Sequence, residues 1–279
     1  MTDTLENVHL SFIGCGVMAE SMIAGLLRQN LVPPDRIFGS HPREARRREL
    51  VTKYGIQMFE SNADAAAKIR GLSNPVIVLS VKPQRLSRVF EDLKGTVPPD
   101  SLVISIVAGA RLATISNELG TDHAVRAMPN TPSQIGAGIT VWNCGDKVSE
   151  GERERVRGLL NALGKELFVE TENMIDMATS LSATGPTYIF MVMEALTDAG
   201  VHLGFSRDLA KELVQETMLG SVKFAMESHK HPAELRNMVT SPGGTSAEAI
   251  YQMEKGSLRT VLSKAVYAAY RRAAALGEK

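Results

Sequence analysis

The pattern that most limits how this chain can fold is an alternation that stops. From residue 8 to about 170, short β-branched runs alternate with longer stretches of helical pattern, and beyond about 165 the strand signals cease. The runs lie at 8–14, 36–40, 75–81, 101–107, 123–128 and 138–143. Several are continuously apolar, as strands buried on both faces must be, and the intervals between them leave room for crossover helices. The pattern predicts a doubly wound parallel α/β sheet. The rest of the chain carries helix-forming runs punctuated by Gly185-Pro186, Gly204, Pro232 and Pro242-Gly243-Gly244, which predicts a separate all-helical domain. The expected domains are therefore 1–166 and 167–279, and the length of 279 residues exceeds what a single core usually serves.

Within the helical part, Tyr188–Leu196 is apolar almost all the way round. Such a helix must be covered on every side, and a small helical domain has little material with which to do so. This predicts that the helix and its Met-rich neighbours form the interface of a homodimer.

Charge and cysteine content narrow the partners. With 31 Lys and Arg against 31 Asp and Glu, no global field draws the chain to nucleic acid or to an anionic membrane. No apolar run approaches the roughly 18 residues that span a bilayer, and the start MTDTLENVHL lacks the basic and apolar regions of a secretory signal. Cys15 and Cys144 make no disulfide framework, CxxC motif or Cys/His cluster. The expectation is a cytoplasmic protein acting on a small molecule, with neither nucleic acid nor membrane as partner.

The first strand runs into Gly14-Cys15-Gly16-Val17-Met18-Ala19, a GxGxxA form of the dinucleotide fingerprint. Gly14 permits the tight turn, Gly16 lets backbone approach a pyrophosphate, and Ala19 allows close helix packing, with the helix N-terminus facing the phosphates. At the end of the second strand, where a carboxylate would hold an NAD ribose, the text reads Ser40-His41-Pro42-Arg43, followed by Arg46, Arg47 and Arg48. A neutral Ser40 beside a guanidinium suits a 2′-phosphate, so NADPH is preferred, with NADH possible. Arg43 is nearest the strand end; Arg46 to Arg48 fit equally a solvated helix face paired with Glu44 and Glu49. Asn62 either caps the helix starting near Ser61 or reaches a ribose hydroxyl, and capping is favoured locally. Val81-Lys82-Pro83 and Ala108-Gly109 lie at strand ends, where open α/β sheets bind ligands. The rigid loop Met128-Pro129-Asn130-Thr131-Pro132 is either a simple turn or a holder for nicotinamide.

In the helical part, Thr240-Ser241-Pro242-Gly243-Gly244-Thr245-Ser246 gathers hydroxyls and exposed amides before a predicted helix, AEAIYQMEK. That set favours a small carboxylate, or forms an N-cap after a flexible turn. GxSxG, HExxH and Walker motifs are absent, and His229 and His231 resemble a surface turn, so no metal is expected. Redox chemistry with a nicotinamide cofactor is the reaction class left standing.

Taken in order, GCGVMAES, SVKPQ, SIVAGA, RAMPNTP, SATGPTYIF and TSPGGTSAEAI resemble the pyrroline-5-carboxylate reductases over essentially the whole chain. The resemblance implies a Rossmann-like N-terminal domain followed by a helical substrate-binding and dimerisation domain. It implies NAD(P)H-dependent reduction of 1-pyrroline-5-carboxylate to L-proline, the last step of proline biosynthesis. The matching cofactor residues are Gly14, Gly16, Met18, Ser40, Asn62, Lys82, Pro83 and Asn130, with Ala108 and Gly109 at the nicotinamide end; here Asn62 is raised above its capping role. Substrate carboxylate falls to Gly244, Thr245 and Ser246, aided by Ser241 and Gly243, while Thr179 and the 182–186 loop, with Thr184, Gly185 and Pro186, border the ring. Thr179 and Ser246 are the expected catalytic residues. Ser246 stands where the family typically carries Thr. Family members form dimers with interleaved helical domains, some of them assembled into larger rings. The rivals are a related hydroxyacid or imine reductase, and an NADP-sensing protein without turnover.

Overall fold

The computed structural model describes residues 5–277. In chain order its first elements are β1 (His9–Ile13), α1 (Val17–Arg28), β2 (Ile37–Ser40), α2 (Glu44–Tyr54), β3 (Gln57–Phe59), α3 (Asn62–Ala67), β4 (Pro75–Leu79) and α4 (Leu86–Leu93). There follow β5 (Leu102–Ser105), α5 (Leu112–Leu119), β6 (Ala124–Met128), β7 (Gly138–Cys144), α6 (Glu150–Asn161), β8 (Gly164–Phe168) and α7 (Asn173–Ala178). The strands make a single sheet in the order β3-β2-β1-β4-β5-β6-β7-β8, with the order reversing between β1 and β4.

The continuous apolar runs are explained by burial on both faces. On β4, Val76 and Val78 enter the core that also takes Met22, Ile23 and Leu26 of α1 and Val156, Leu159 and Leu160 of α6. The alternate residues Ile77 and Leu79 enter the opposite core, with Ala65 of α3, Phe90 of α4 and Ile115 of α5. β1 divides in the same way, apart from Ser11, whose buried hydroxyl donates to Ala65 O at 2.8 Å. Period two in side-chain direction thus places a core on each side of one layer.

The fully parallel expectation is corrected at one place: β7 runs antiparallel to β6, and β8 is parallel to β7. The segment 129–137 between β6 and β7 holds only a short 3-10 helix, too little for the crossover of about a dozen residues that a parallel return requires. Strands β3 and β8, unforeseen in the sequence, occupy the two edges of the sheet. Edge strands need no continuous apolar run, and Gln57 and Lys165 are exposed on them.

Contacts divide the chain into two units, one running to Thr184 and resuming at Ala269, the other Gly185–Ala268. The expected boundary at 166/167 falls inside β8, and both β8 and α7 lie in the first unit. The second unit contains α8 (Gly185–His202), α9 (Arg207–Ser228), α10 (Pro232–Met238), α11 (Thr245–Lys255) and most of α12 (Leu258–Leu276). Ser206 caps α9 through the N–H of Leu209, and His231 Nδ1 caps α10 by accepting from Ala233 N–H. In this unit's described residues Ala210 alone is a buried hydrophobic, while Met191 is 65% and Leu203 83% exposed. Among the described residues no helix is long and apolar enough to cross a membrane.

Candidate active site

The nucleotide fingerprint forms a loop braced from two neighbouring strands. Gly14 has φ +90°, and a Cβ there would lie closer than 3.0 Å to the Val81 side chain, so conformation and space both require glycine. Ser40, fully buried at the end of β2, accepts from Gly14 N–H at 3.2 Å through its hydroxyl and from Cys15 N–H at 2.9 Å through its carbonyl. From β4, the Ser80 hydroxyl lies 3.2 Å from Ile13 O and 3.1 Å from Gly14 O. Ser80 was not among the expected residues; its signal is a hydroxyl placed directly after an apolar strand, opposite the glycine turn. Gly16 is the N-cap of α1 with no side-chain cap, and nothing would obstruct a Cβ on it. The N–H groups of Val17, Met18 and Ala19 therefore open the helix in a form suited to an anion.

Gly39 serves a different purpose beneath this loop. A Cβ on it would stand closer than 3.0 Å to Cys15 Sγ and 3.2 Å from Met58 Sδ. Burial pushes the Cys15 thiol up to about 12, so it is a neutral packing group.

Asn62 does not cap α3. Ser61 does, accepting from Asp64 N–H at 3.3 Å, and this corrects the locally favoured reading. The Asn62 amide instead accepts from the Ser40 hydroxyl at 2.7 Å and donates to Asp92 at 2.8 Å. A polar chain Gly14–Ser40–Asn62–Asp92 results, and Ser40 acts within it as a support of the glycine loop.

The arginines separate sharply. Arg46 pairs with Glu20 and, at 2.7 Å, with Glu49; Arg48 pairs with Glu44 at 2.5 Å. Arg47 pairs with Glu60 at 2.9 Å and donates to the carbonyls of His41 at 2.8 Å and Pro42 at 2.9 Å, bracing the turn that precedes α2. Arg43 is exposed, and no carboxylate among the described residues pairs with it. Burial would raise Glu20, but hydrogen bonds from Lys53, Arg46 and Tyr54 outweigh it and hold the carboxyl at about 2. Burial, together with the charges of Arg43, Arg46 and Arg47, lowers His41, whose Nδ1 accepts from Arg43 N–H at 3.2 Å.

Farther along the sheet, exposed Lys82 and half-buried Pro83 begin a short 3-10 turn after β4, and Ala108 and Gly109 follow β5. Gly109 has φ +79°, and a Cβ on it would meet Leu276 O at 2.7 Å, so its missing side chain makes room for the end of α12. Asn130 is a connector: its side chain accepts from Ile139 N–H at 2.9 Å and donates to Ser182 O at 3.2 Å. Ser182 lies in a single π-helical turn, Thr179–Ala183, a conformation that is rare and concentrated at functional sites. Thr179 donates its hydroxyl to Ile175 O at 2.7 Å, and Thr184 donates to Thr179 O at 2.8 Å. Gly185 and Pro186 open α8 in the second unit.

Also in the second unit, Gly243 (φ +71°) and Gly244 end the loop, and α11 starts at Thr245, earlier than expected. Gly244 is its N-cap without a side-chain bond; a Cβ there would meet Ser241 Oγ at 2.5 Å. The hydroxyls of Thr245 and Ser246 have no hydrogen-bond partner among the described residues. This arrangement can accept a small anion.

Two family models match: pyrroline-5-carboxylate reductase dimerisation over residues 172–276, and NADP oxidoreductase coenzyme F420-dependent over 9–109. A Pseudomonas aeruginosa pyrroline-5-carboxylate reductase is 39% identical over 99% of this chain and 99% of its own. A Plasmodium falciparum pyrroline carboxylate reductase, solved with NADP bound, superposes with TM-score 0.88 at 30% identity, covering 98% of this chain and 99% of its own. A Coxiella burnetii pyrroline-5-carboxylate reductase gives TM-score 0.84 at 34% identity, covering 97% and 99%. With identity at this level over nearly the full length of both chains, the chain belongs to the pyrroline-5-carboxylate reductase family.

Proposed function

We propose that the chain is a homodimeric, cytoplasmic reductase that converts 1-pyrroline-5-carboxylate to L-proline and prefers NADPH to NADH. The observation that carries this reading is a pair of uncapped glycine helix starts, one in each unit. Gly16 opens α1 and Gly244 opens α11, each without a side-chain cap. Bare N-terminal amides are anion sites, and the reaction has two anions to hold, a pyrophosphate and a substrate carboxylate.

The fit to a dinucleotide rests on the open space at Gly16 and on the unpaired Arg43. Backbone N–H groups of Val17 to Ala19 hold the pyrophosphate, and Arg43 holds the 2′-phosphate. Ser40 and Asn62 keep Gly14 in its turn, and Val81, Lys82, Pro83, Ala108 and Gly109 border the cofactor at the strand ends. When bound, the reduced nicotinamide supplies the hydride that the imine carbon receives. Ser241, Gly243, Gly244, Thr245 and Ser246 hold the carboxylate. Thr179, Thr184, Gly185 and Pro186 border the ring, with Asn130 steadying them through Ser182. These residues include no carboxylic acid and no histidine. Their contribution is alignment, and the imine arrives protonated or takes its proton from water or a hydroxyl.

The homodimer is supported by helices that are apolar yet uncovered: Phe190 is 57% and Val222 58% exposed. The cytoplasmic reading is supported by two free, buried cysteines. The test mixes purified protein, NADPH and pyrroline-5-carboxylate and follows absorbance loss together with proline formation; sedimentation gives the mass. Cofactor binding without turnover would make the chain a sensor, turnover only with other imines or keto acids would move it to a different reductase, and a monomer mass independent of concentration would remove the dimer.

A further inference from the structure

Arg126 is the largest fully buried charged side chain among the described residues, and no expected role involved it. It lies on β6 at 1% exposure, with Nη1 3.1 Å from Glu172 and Nη2 2.5 Å from Asp176, while its Nε has no partner among the described residues. Glu172 and Asp176 stand one helical turn apart around α7, and Glu172 also accepts from Leu112 N–H at 2.8 Å. A buried ion pair is a poor source of stability, because desolvation offsets most of the attraction; what it supplies well is a unique geometry.

That geometry is fixed just where the chain turns. α7 runs directly into the π turn Thr179–Ala183, and the exit of β6, through Asn130, holds Ser182 O at 3.2 Å. Arg126 on β6 therefore holds α7, which leads into the turn, and Asn130 in the loop just after β6 holds the turn near its far end. We propose that Arg126 is a positioning residue of the reductase: clamped by Glu172 and Asp176, it sets where Thr179 and Thr184 stand, without touching substrate. This rests on the reading that Thr179 and Thr184 border the substrate ring.

Two variants of the full-length enzyme separate placement from stability. Asp176→Asn keeps the volume and removes the charge that Arg126 grips. Arg126→Met combined with Asp176→Leu and Glu172→Gln replaces the whole ion cluster by uncharged side chains and keeps an acceptor for Leu112 N–H, a kind of change that commonly leaves stability intact or raises it. Each is assayed well below its own melting transition for NADPH dissociation constant and for kcat and KM toward pyrroline-5-carboxylate. The expected result is NADPH affinity within about two-fold of the parent and kcat/KM reduced by about 10-fold or more, since small displacements of positioning groups are amplified in rate. Arg126→Lys, which keeps a charge without the planar fork, falls between. Unchanged kcat/KM in both variants, or equal loss of cofactor affinity and turnover, overturns the proposal. A Thr184→Ala control tells the two failures apart. If it leaves kcat/KM unchanged, the substrate reading of the turn fails, and the proposal with it; if it impairs turnover while Asp176→Asn and the combined Arg126→Met variant do not, only the positioning role is lost.

Discussion

Gly39→Ala tests the packing under the nucleotide loop, because its effect is set by a single sulfur atom. Gly39 does not have a positive φ, so alanine meets no backbone strain there, and the whole effect comes from space. The new methyl would lie closer than 3.0 Å to Cys15 Sγ, where real contacts are essentially never found, and 3.2 Å from Met58 Sδ. Met58 can yield by a few tenths of an ångström. Cys15 has less room to yield, since it is fully buried, its backbone N–H is held by Ser40 O at 2.9 Å and its Sγ points to Phe12 O at 3.8 Å. Overpacking of this kind costs about 1–3 kcal/mol, and confinement of the neighbour argues for about 2–3. The loop that must move carries the Gly16 helix start, so NADPH affinity should fall by about ten-fold as well. Cys15→Ala alone removes one buried atom at about 1 kcal/mol. Combined with Gly39→Ala it removes the obstacle, so the double variant should be no less stable than Cys15→Ala, a coupling of about 2 kcal/mol in its favour. Denaturation at one fixed protein concentration and NADPH titration give all four corners of the cycle. Additive losses would show that Sγ is not the obstruction, and a neutral Gly39→Ala would show that the loop is softer than its hydrogen bonds imply.

Arg43→Ala should weaken NADPH by about ten-fold and NADH by less than about two-fold, since it removes a charged hydrogen bond that only the phosphorylated cofactor can use; equal losses by titration would unseat the NADPH assignment. Glu20→Gln should reduce stability by about 1–2 kcal/mol at neutral pH, a figure held down because Lys53, one of its partners, is exposed. Glu20 is lowered from its ordinary 4.5 to about 2, so its contribution is complete above 4.5 and fades as pH falls through 2. Denaturation of parent and variant across that window should therefore converge at low pH, and a constant gap would refute the linkage. Ser246→Ala should lower kcat/KM by about 5–30-fold through loss of a hydrogen bond to the substrate carboxylate; unchanged steady-state kinetics would remove Ser246 from the site.

Much of the sheet was legible because continuous apolar runs have one economical fate, burial on both faces, and all six expected runs form strands. The two that escaped, β3 and β8, are edge strands, which leave no such signature. The glycine loop was legible for a related reason: the turn at Gly14 and the open approach at Gly16 are properties of single residues. The roles of polar side chains were not. Ser61 rather than Asn62 caps α3, because Asn62 finds Ser40 and Asp92 instead, and Ser40 lies 22 positions away along the chain. Among four arginines in one short segment, the unpaired one emerged only when Glu20 and Glu60 were brought up from neighbouring elements to hold Arg46 and Arg47. Arg126 drew no notice as one charge in a strand, since its carboxylates lie beyond β8, Glu172 at the N-cap of α7 and Asp176 within it.

Local conformation and hydrophobic period are written in adjacent residues, so the sequence alone determined the strands of the sheet interior, the nucleotide turn and the apolar excess of the helical part. Hydrogen-bond and ion-pair partners depend on distances between residues remote in sequence. Tertiary structure alone therefore decided the reversed direction of β7, the support of Gly14 by Ser40, the freedom of Arg43 and the grip of Arg126 on the carboxylates at α7.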